Sequence, residues 1–540
     1  MVPARTRVSA TIRPAPRLRR LAAVAWALLA APACAATIEP AVLERVARDG
    51  TVEALLVLPD QSRPMLAPLA AAVDPRIRRH ALVDALRARA DAQQADLRAW
   101  LRGQGVEHRA WWIANVVWVR TTPATLALLA ARDDIAHIRA NPPLAQALPQ
   151  AESPARAGDA PAATEYGVAQ INAPAVWALG HTGQGVVVAV ADTGMRWDHA
   201  ALRPHYRGWN GSSASHAYHW HDAIHDAAGN PCGNDAGAPC DDYGHGTHVT
   251  GTVIGDDGGA NQIGVAPGAQ WIGCRNMAGG YGTPARYIEC MQWTLAPTDA
   301  NDQNPDPDLA PDVSSNSWGC IATEGCSSGE EIRAAVDNVV AGGILFVAAA
   351  GNDGPACSTI GDPPATYDSA FVVGASDAAD AIAAFSSRGP VAGAAQVHPD
   401  VVAPGAGVRS ALRDATNSYG NKSGTSMAAP HVAGAAALLM SAVPALRGHP
   451  QQVAQLLRDT ALWQGITDPY NSGCGGLTLA DHPNHQAGWG RIDVWAALQA
   501  ALVDDTILQD GFDSPLKRDD RHGWARAIDP LDSRAGLAGL

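Results

Sequence analysis

Two patterns of apolar and polar positions divide the chain. Between residues 37 and 147, short apolar runs flank stretches with helical spacing. Residues 52–58 read as a strand, and the Ala/Leu/Arg-rich stretch 76–102 as a helix. Residues 106–112 and 115–120 read as two more strands, Thr122-Pro123 opens a second helix reaching 131, and 135–139 closes the series as a strand. The order β-α-β-β-α-β predicts a small α+β domain of ferredoxin-like type. From residue 165 the pattern changes. Runs 186–191, 270–274, 344–349 and 371–373 are apolar without polar alternation, as in strands covered on both faces. Residues 330–341 and 427–440 have helical spacing. An α/β domain over 165–503, with a mainly parallel sheet flanked by helices, is the expected fold class.

The connecting and terminal segments lack such periodicity. Residues 148–164 are small, polar and proline-containing, which predicts an exposed linker where cleavage is easy. Residues 504–540 are rich in Asp, Arg and Gly and read as a tail. At the other end, six arginines lie between Arg5 and Arg20, an apolar run covers 21–33, and Ala33-Cys34-Ala35 follows. Residues 1–35 therefore read as a signal peptide, with an apolar run too short to span a bilayer. The alternative, a lipid on Cys34, is disfavoured because Ala31 stands where that signal usually has leucine. The expected product is secreted, extracellular or periplasmic, and free of the membrane once the signal is removed.

Charge and cysteine usage sharpen this picture. Of the 540 residues 47% are hydrophobic and 17% charged, a globular composition. The net charge of −14 is uneven: residues 1–156 carry +8 and residues 157–540 carry −22. So acidic a main domain argues against nucleic acid as a partner. Without Cys34 eight cysteines remain, an even number that allows four disulfides in 105 pairings. The local pairs Cys232–Cys240 and Cys320–Cys326 are expected first, and Cys274–Cys290 and Cys357–Cys474 follow by elimination. No Cys-x2-Cys spacing suggests zinc.

Four blocks carry candidate chemistry. Asp192-Thr193-Gly194 ends an apolar strand, and Gly244-His245-Gly246-Thr247-His248 lies further on. Ala348-Ala349-Ala350-Gly351-Asn352 ends another strand, and Gly424-Thr425-Ser426-Met427-Ala428-Ala429-Pro430-His431 opens a small-residue helix. The chain thus holds an acid, a base and a nucleophile in the order Asp, His, Ser. A serine at a helix start has first-turn N–H groups and the helix dipole beside any developing negative charge. Pro430 is expected in the first helical turn, where its missing N–H costs nothing.

These blocks resemble those of the subtilisin-like serine proteases, over roughly residues 165 to 500. The resemblance implies a serine endopeptidase that cuts protein or peptide substrates through an acyl-enzyme, with Ser426 as nucleophile and His245, rather than His248, as general base. Asp192 would orient the imidazole, and Asn352 would donate to the oxyanion together with the Ser426 backbone N–H. Ser317, Trp318 and Gly319 resemble the family's substrate-binding strand. Trp318 stands where a smaller apolar residue is usual, and so narrows or caps a neighbouring subsite. Ala349, Ala350 and Gly351 would form the other wall of the pocket for P1, the residue on the acyl side of the cut, with Gly361 near its floor. Asp362 follows, facing either that pocket or solvent. The segment 37–147 resembles the inhibitory propeptide of the same proteases, which implies a self-processing zymogen cut within 148–164, with its own propeptide as inhibitor.

Other readings fit less well. An aspartic protease needs two Asp-Thr-Gly motifs, and there is one. An α/β-hydrolase elbow wants glycine at the fifth position, where Ala428 stands, and its Asp and His downstream. An inactive binding scaffold would need a displaced triad. No cofactor is required and no metal residues are assigned. Ala201 stands where many relatives have a calcium-binding aspartate, and 255–266 lacks their extra loop, so calcium stays open without a site. His219, His221 and His225 lie in an insertion without a matching carboxylate motif, which argues against a transition-metal centre.

Overall fold

A computed structural model of the chain describes residues 36–59, 74–146, 148–149, 153–154, 164–320 and 329–503. The segment read as a signal peptide, most of the expected linker, Cys326 and the expected tail lie outside these residues. The N-terminal unit comprises β1 (Thr37–Ile38), α1 (Pro40–Asp49), β2 (Val52–Val57), α2 (Pro75–Gly103), β3 (Glu107–Trp111), β4 (Val116–Thr121), α3 (Pro123–Ala130) and β5 (His137–Ala140). Its sheet order is β1-β5-β2-β4-β3. The four longer strands follow the ferredoxin-like arrangement, with antiparallel neighbours throughout. Helix α1 is an addition that the sequence reading passed over. Its Pro40 opening and the left-handed Gly50 that closes it (φ 77°) are ordinary helix boundaries.

Strand alternation gives this small sheet two buried faces. Ala54, Leu56, Val117 and Val119 point to a core shared with α1, α3 and the C-terminal half of α2. Leu55, Val57, Val116 and Trp118 point the other way, into a core shared with the large domain. Polar contacts frame that joint. Gln292 Oε1 accepts from the Trp112 and Ile113 amides at 2.7 and 3.3 Å. The buried Arg79 donates to the carbonyls of Gly342 and Pro307 at 2.7 and 3.2 Å. Arg120 pairs with Glu53 on its own unit and with Asp226 across the joint.

The large domain is built on seven parallel strands in the order β16-β15-β14-β13-β8-β10-β9. These are β8 (Val187–Asp192), β9 (Trp220–Asp222), β10 (Gln270–Arg275), β13 (Val313–Asn316), β14 (Leu345–Ala349), β15 (Phe371–Ser376) and β16 (Val401–Pro404). Val188, Val190, Val347 and Val373 face α4 (His245–Ile254) and α7 (Thr425–Ala442). Phe346, Ala348 and Val372 face α5 (Pro284–Leu295) and α6 (Glu330–Ala341). Two-sided burial explains the uninterrupted apolar runs in the sequence. Strand β9 was not expected; it sits at the sheet edge inside the histidine-containing insertion. Two hairpin strands, β17 (Val408–Ala411) and β18 (Tyr419–Lys422), precede α7.

Cys232–Cys240, Cys274–Cys290 and Cys357–Cys474 are disulfides. Cys320 is also disulfide-bonded, and its expected partner Cys326 lies outside the described residues.

Helix α7 begins at Thr425, two residues before the expected start, and sixteen consecutive residues from Thr425 to Met440 are buried. Pro430 therefore falls inside the helix and not in its first turn. The proline nitrogen cannot bond the carbonyl four residues back, that of Ser426. The Ser317 hydroxyl donates to that carbonyl instead, at 3.2 Å. A helix buried on every side needs small residues. A Cβ placed on Gly434 would lie 2.5 Å from the Val265 Cβ and 3.0 Å from the Val253 carbonyl oxygen. Gly434→Leu is expected to lower stability by about 1–3 kcal/mol through overpacking, read from urea unfolding of the Ser426→Ala chain.

Candidate active site

The strands end at one edge, and the site is assembled there from loops and helix starts. Asp192 is the last residue of β8, and His245 is the first residue of α4. Both are fully buried. His245 Nδ1 lies 2.8 Å from Asp192 Oδ1 and 3.0 Å from Oδ2. Asp192 Oδ1 also accepts from the Thr193 amide at 2.7 Å. A carboxylate oxygen accepts hydrogen bonds, so Nδ1 is the donor in this pair. The other ring nitrogen, Nε2, is buried and has no hydrogen-bond partner among the described residues.

The start of α4 is fixed by neighbours that the sequence reading did not single out. Thr193 Oγ1 accepts from the Gly246 amide at 3.0 Å. Asp241 Oδ1 accepts from the Gly244 amide at 2.6 Å and the Thr193 hydroxyl at 2.9 Å, and its Oδ2 accepts from the Thr247 amide at 3.0 Å. These oxygens satisfy first-turn donors that the helix cannot. Asp241 is four residues before His245 in a polar loop, and a capping aspartate there is the signal that could have revealed it.

Ser426 occupies the second position of α7 and is buried. Lys422, on β18, donates from Nζ to the Gly244 carbonyl at 2.8 Å. One buried lysine side chain therefore ties the strand leading into Ser426 to the residue preceding His245. His248 is held elsewhere: its Nε2 meets the Gly420 carbonyl at 3.1 Å, and burial, aided by the Lys422 charge, holds its pKa well below the usual value.

Asn352 lies beyond β14, beside Ser426. Its Oδ1 accepts from the Thr425 amide at 2.9 Å and lies 3.1 Å from the Thr425 hydroxyl. With the carbonyl end anchored this way, the amide Nδ2 is the end left to donate. Asn352, Thr425 and Ser426 border a cavity of about 330 Å³. Ser317, Trp318 and Gly319 line it on one side and Ala349, Ala350 and Gly351 on another, with Gly361 and Asp362 also contributing. Trp318 is buried and stacks on Tyr287, with ring centroids 3.9 Å apart and planes 6° from parallel.

The chain itself lies along this cleft. Strand β6 (Leu144–Ala145) pairs antiparallel with β12 (Tyr281–Gly282), itself paired with β11 (Met277–Ala278). The Gln146 side chain accepts from the Gly319 amide at 2.9 Å and donates to the Gly319 carbonyl at 2.6 Å. Leu148 lines the cavity, and a Cβ on Gly424 would lie 2.5 Å from Pro149 Cγ. Beyond them, β7 (Ser153–Pro154) pairs with β18.

The insertion histidines form a separate group. His221 Nε2 and His225 Nε2 each lie 2.9 Å from Glu289 Oε1. His221 Nδ1 lies 3.0 Å from Asp302, and His225 Nδ1 lies 2.5 Å from Asp235. Each imidazole is held between two carboxylates. His219 turns away to the Ser215 carbonyl at 3.0 Å. Among the described residues no group of three or more His, Cys, Asp or Glu side chains is arranged to hold a metal ion. Burial opposes charge on His221, but its bonds to Asp302 and Glu289 outweigh burial and push its pKa up to about 10. The raised folded-state pKa means that the stabilisation is complete below the ordinary value of 6.5 and is lost as pH rises through about 10. Stability of the Ser426→Ala chain is expected to fall over that interval, and His221→Gln should flatten the fall, as followed by thermal unfolding at a series of pH values.

Comparison with known proteins agrees with this architecture. The subtilase family profile matches residues 183–490. Bacillopeptidase F of Bacillus subtilis (strain 168) is 34% identical over 444 residues, which cover 78% of this chain and 29% of that protein. The chain thus spans less than a third of that relative. Subtilisin of Bacillus pumilus is 33% identical and subtilisin DY of Bacillus licheniformis 35% identical, each over 311 residues covering 57% of this chain and 95% of the relative. The chain belongs to the subtilase family and is a serine-type endopeptidase.

Proposed function

We propose that the chain is an exported zymogen whose triad is Asp192, His245 and Ser426. The observation that carries this reading is the buried Asp192–His245 pair, which leaves Nε2 as a base at the same edge as Ser426. Ser426 Oγ attacks the peptide carbonyl while His245 Nε2 takes the hydroxyl proton. The tetrahedral oxyanion receives hydrogen bonds from Asn352 Nδ2 and the Ser426 amide, and donors of this kind are each worth roughly 10²–10³ in kcat. His245 then gives the proton to the leaving amine as the C–N bond breaks, and water, activated by the same imidazole, releases the acyl group. Asp192 holds the tautomer and stabilises the imidazolium. These steps use only groups of the chain, so no cofactor is required.

Residues 37–147 are read as the inhibitory propeptide. The segment around Gln146 and Leu148 takes the place of substrate along the cleft, adding a strand to the β12 edge. Joined to the rest of the chain, it has a high effective concentration there. Cleavage within 148–164 would convert this tethered ligand into a separate, dissociable one. Export is supported by the disulfides, which persist in oxidising surroundings. Among the described residues no helix is long and apolar enough to cross a membrane.

Self-processing has a direct test. Expressed whole, wild type is expected to be trimmed within 148–164 while Ser426→Ala stays intact, as read by intact-mass analysis. Equal trimming of both would assign maturation to another protease.

A further inference from the structure

Gln146 meets the cleft through its side chain as well as its backbone. The main chain is placed by the pairing of β6 with β12, and the Gln146 amide donates to the Gly280 carbonyl at 3.0 Å. The carboxamide then engages both polar groups of Gly319. Its Oε1 accepts from the Gly319 amide at 2.9 Å, and its Nε2 donates to the Gly319 carbonyl at 2.6 Å. Nε2 carries a second hydrogen, and the Tyr287 hydroxyl oxygen lies 3.3 Å away to accept it. A neighbouring antiparallel strand would offer Gly319 the same N–H and C=O pair, so the side chain stands in for a backbone.

The receiving groups are held by their own surroundings. Gly319 contributes main-chain atoms three residues beyond the end of β13. Tyr287, on α5, has no exposed surface, and its ring stacks on the buried Trp318. Its hydroxyl comes up to β12 because residue 282 is glycine; a Cβ there would collide with that oxygen. Among the described residues, Gln146 is the hydrogen-bond partner of this buried hydroxyl. A polar group buried in this way disfavours an occupant that cannot pair with it.

The pattern of donors and acceptors fits one class of side chain. An oxygen must face the Gly319 amide, and a hydrogen must face the Gly319 carbonyl. A carboxylate brings no hydrogen to that carbonyl, an ammonium brings no acceptor to the amide, and an alkyl chain brings neither. Asparagine has the right group on a stem one methylene shorter. We propose that Gly319 and Tyr287 form a subsite for a side-chain carboxamide, which holds Gln146 in the uncut chain and favours glutamine at the matching position of substrates. The inference rests on the reading that the segment around Gln146 takes the place of substrate.

The test uses mature enzyme obtained from the full chain, titrated with a fluorophosphonate, and capped peptides covering residues 141–150. One peptide has the natural sequence, and the others carry Gln146→Met, Gln146→Glu or Gln146→Asn. Initial-rate competition against a fluorogenic substrate reads occupancy of the cleft whether or not the competitor is itself cut. At neutral pH the natural peptide is expected to compete at least about tenfold better than the Met and Glu peptides, and better than the Asn peptide. Tyr287→Phe keeps the ring on Trp318 and loses the hydroxyl, and it should shrink the Gln-to-Met ratio about threefold. A Met or Glu peptide that competes as well as the natural one would overturn the carboxamide subsite while leaving the substrate-like placement of the segment intact. An unchanged Gln-to-Met ratio in Tyr287→Phe would overturn the role of Tyr287. Enzyme that is labelled at Ser426 but competes with none of the peptides would overturn both the placement and the subsite. The wild-type peptide series decides the question even if Tyr287→Phe does not fold.

Discussion

A carboxylate with no exposed surface must be met by a partner, and Asp192 is met by His245. Leaving such a charge alone in a dry interior costs several kcal/mol, so the imidazole is held in one tautomer and one orientation. The other nitrogen is then available at a known place. Thr193 and Asp241 fix the start of α4, Lys422 links it to the strand that leads into Ser426, and Thr425 anchors the Asn352 carbonyl so that its amide can donate. In the proposed mechanism each contact removes a freedom that would otherwise blur the geometry of attack.

The parallel sheet makes this convergence possible. Residues 192, 245, 352 and 426 are far apart in sequence, but parallel strands deliver their following loops to one edge. The same edge leaves β12 able to accept another strand, and the chain places β6 there. The N-terminal unit that supplies β6 is held by a shared apolar core and by arginines reaching into an acidic domain. Binding the cleft and covering α5 and α6 are therefore parts of one interface.

Much of this was legible in the sequence because it depends on local pattern. The apolar runs that became β8, β10, β14 and β15 are covered on both faces, and such strands cannot afford polar alternation. The motifs around Asp192, His245 and Ser426 are contiguous, so their residue types can be read directly. What stayed hidden was set by long-range contact. A helix start at Met427 would put Pro430 in the first turn; the chain begins the helix at Thr425, and Ser317, just past the distant β13, accommodates the missing N–H. Strand β9 is three residues long and owes its place to pairing with β10, which short-range propensity does not encode. Lys422 matters through the Gly244 carbonyl, a partner that only the fold brings near it. The position of Gln146 at the cleft likewise depends on Gly280 and Gly319, more than a hundred positions away.

The measurement closest to the central claim is the site of covalent labelling by a fluorophosphonate, mapped by peptide mass spectrometry on mature wild type and on His245→Ala. The account predicts a single adduct on the hydroxyl of Ser426 in wild type and its loss when the imidazole is removed. An adduct on another residue, or equally fast labelling of Ser426 without His245, would contradict it.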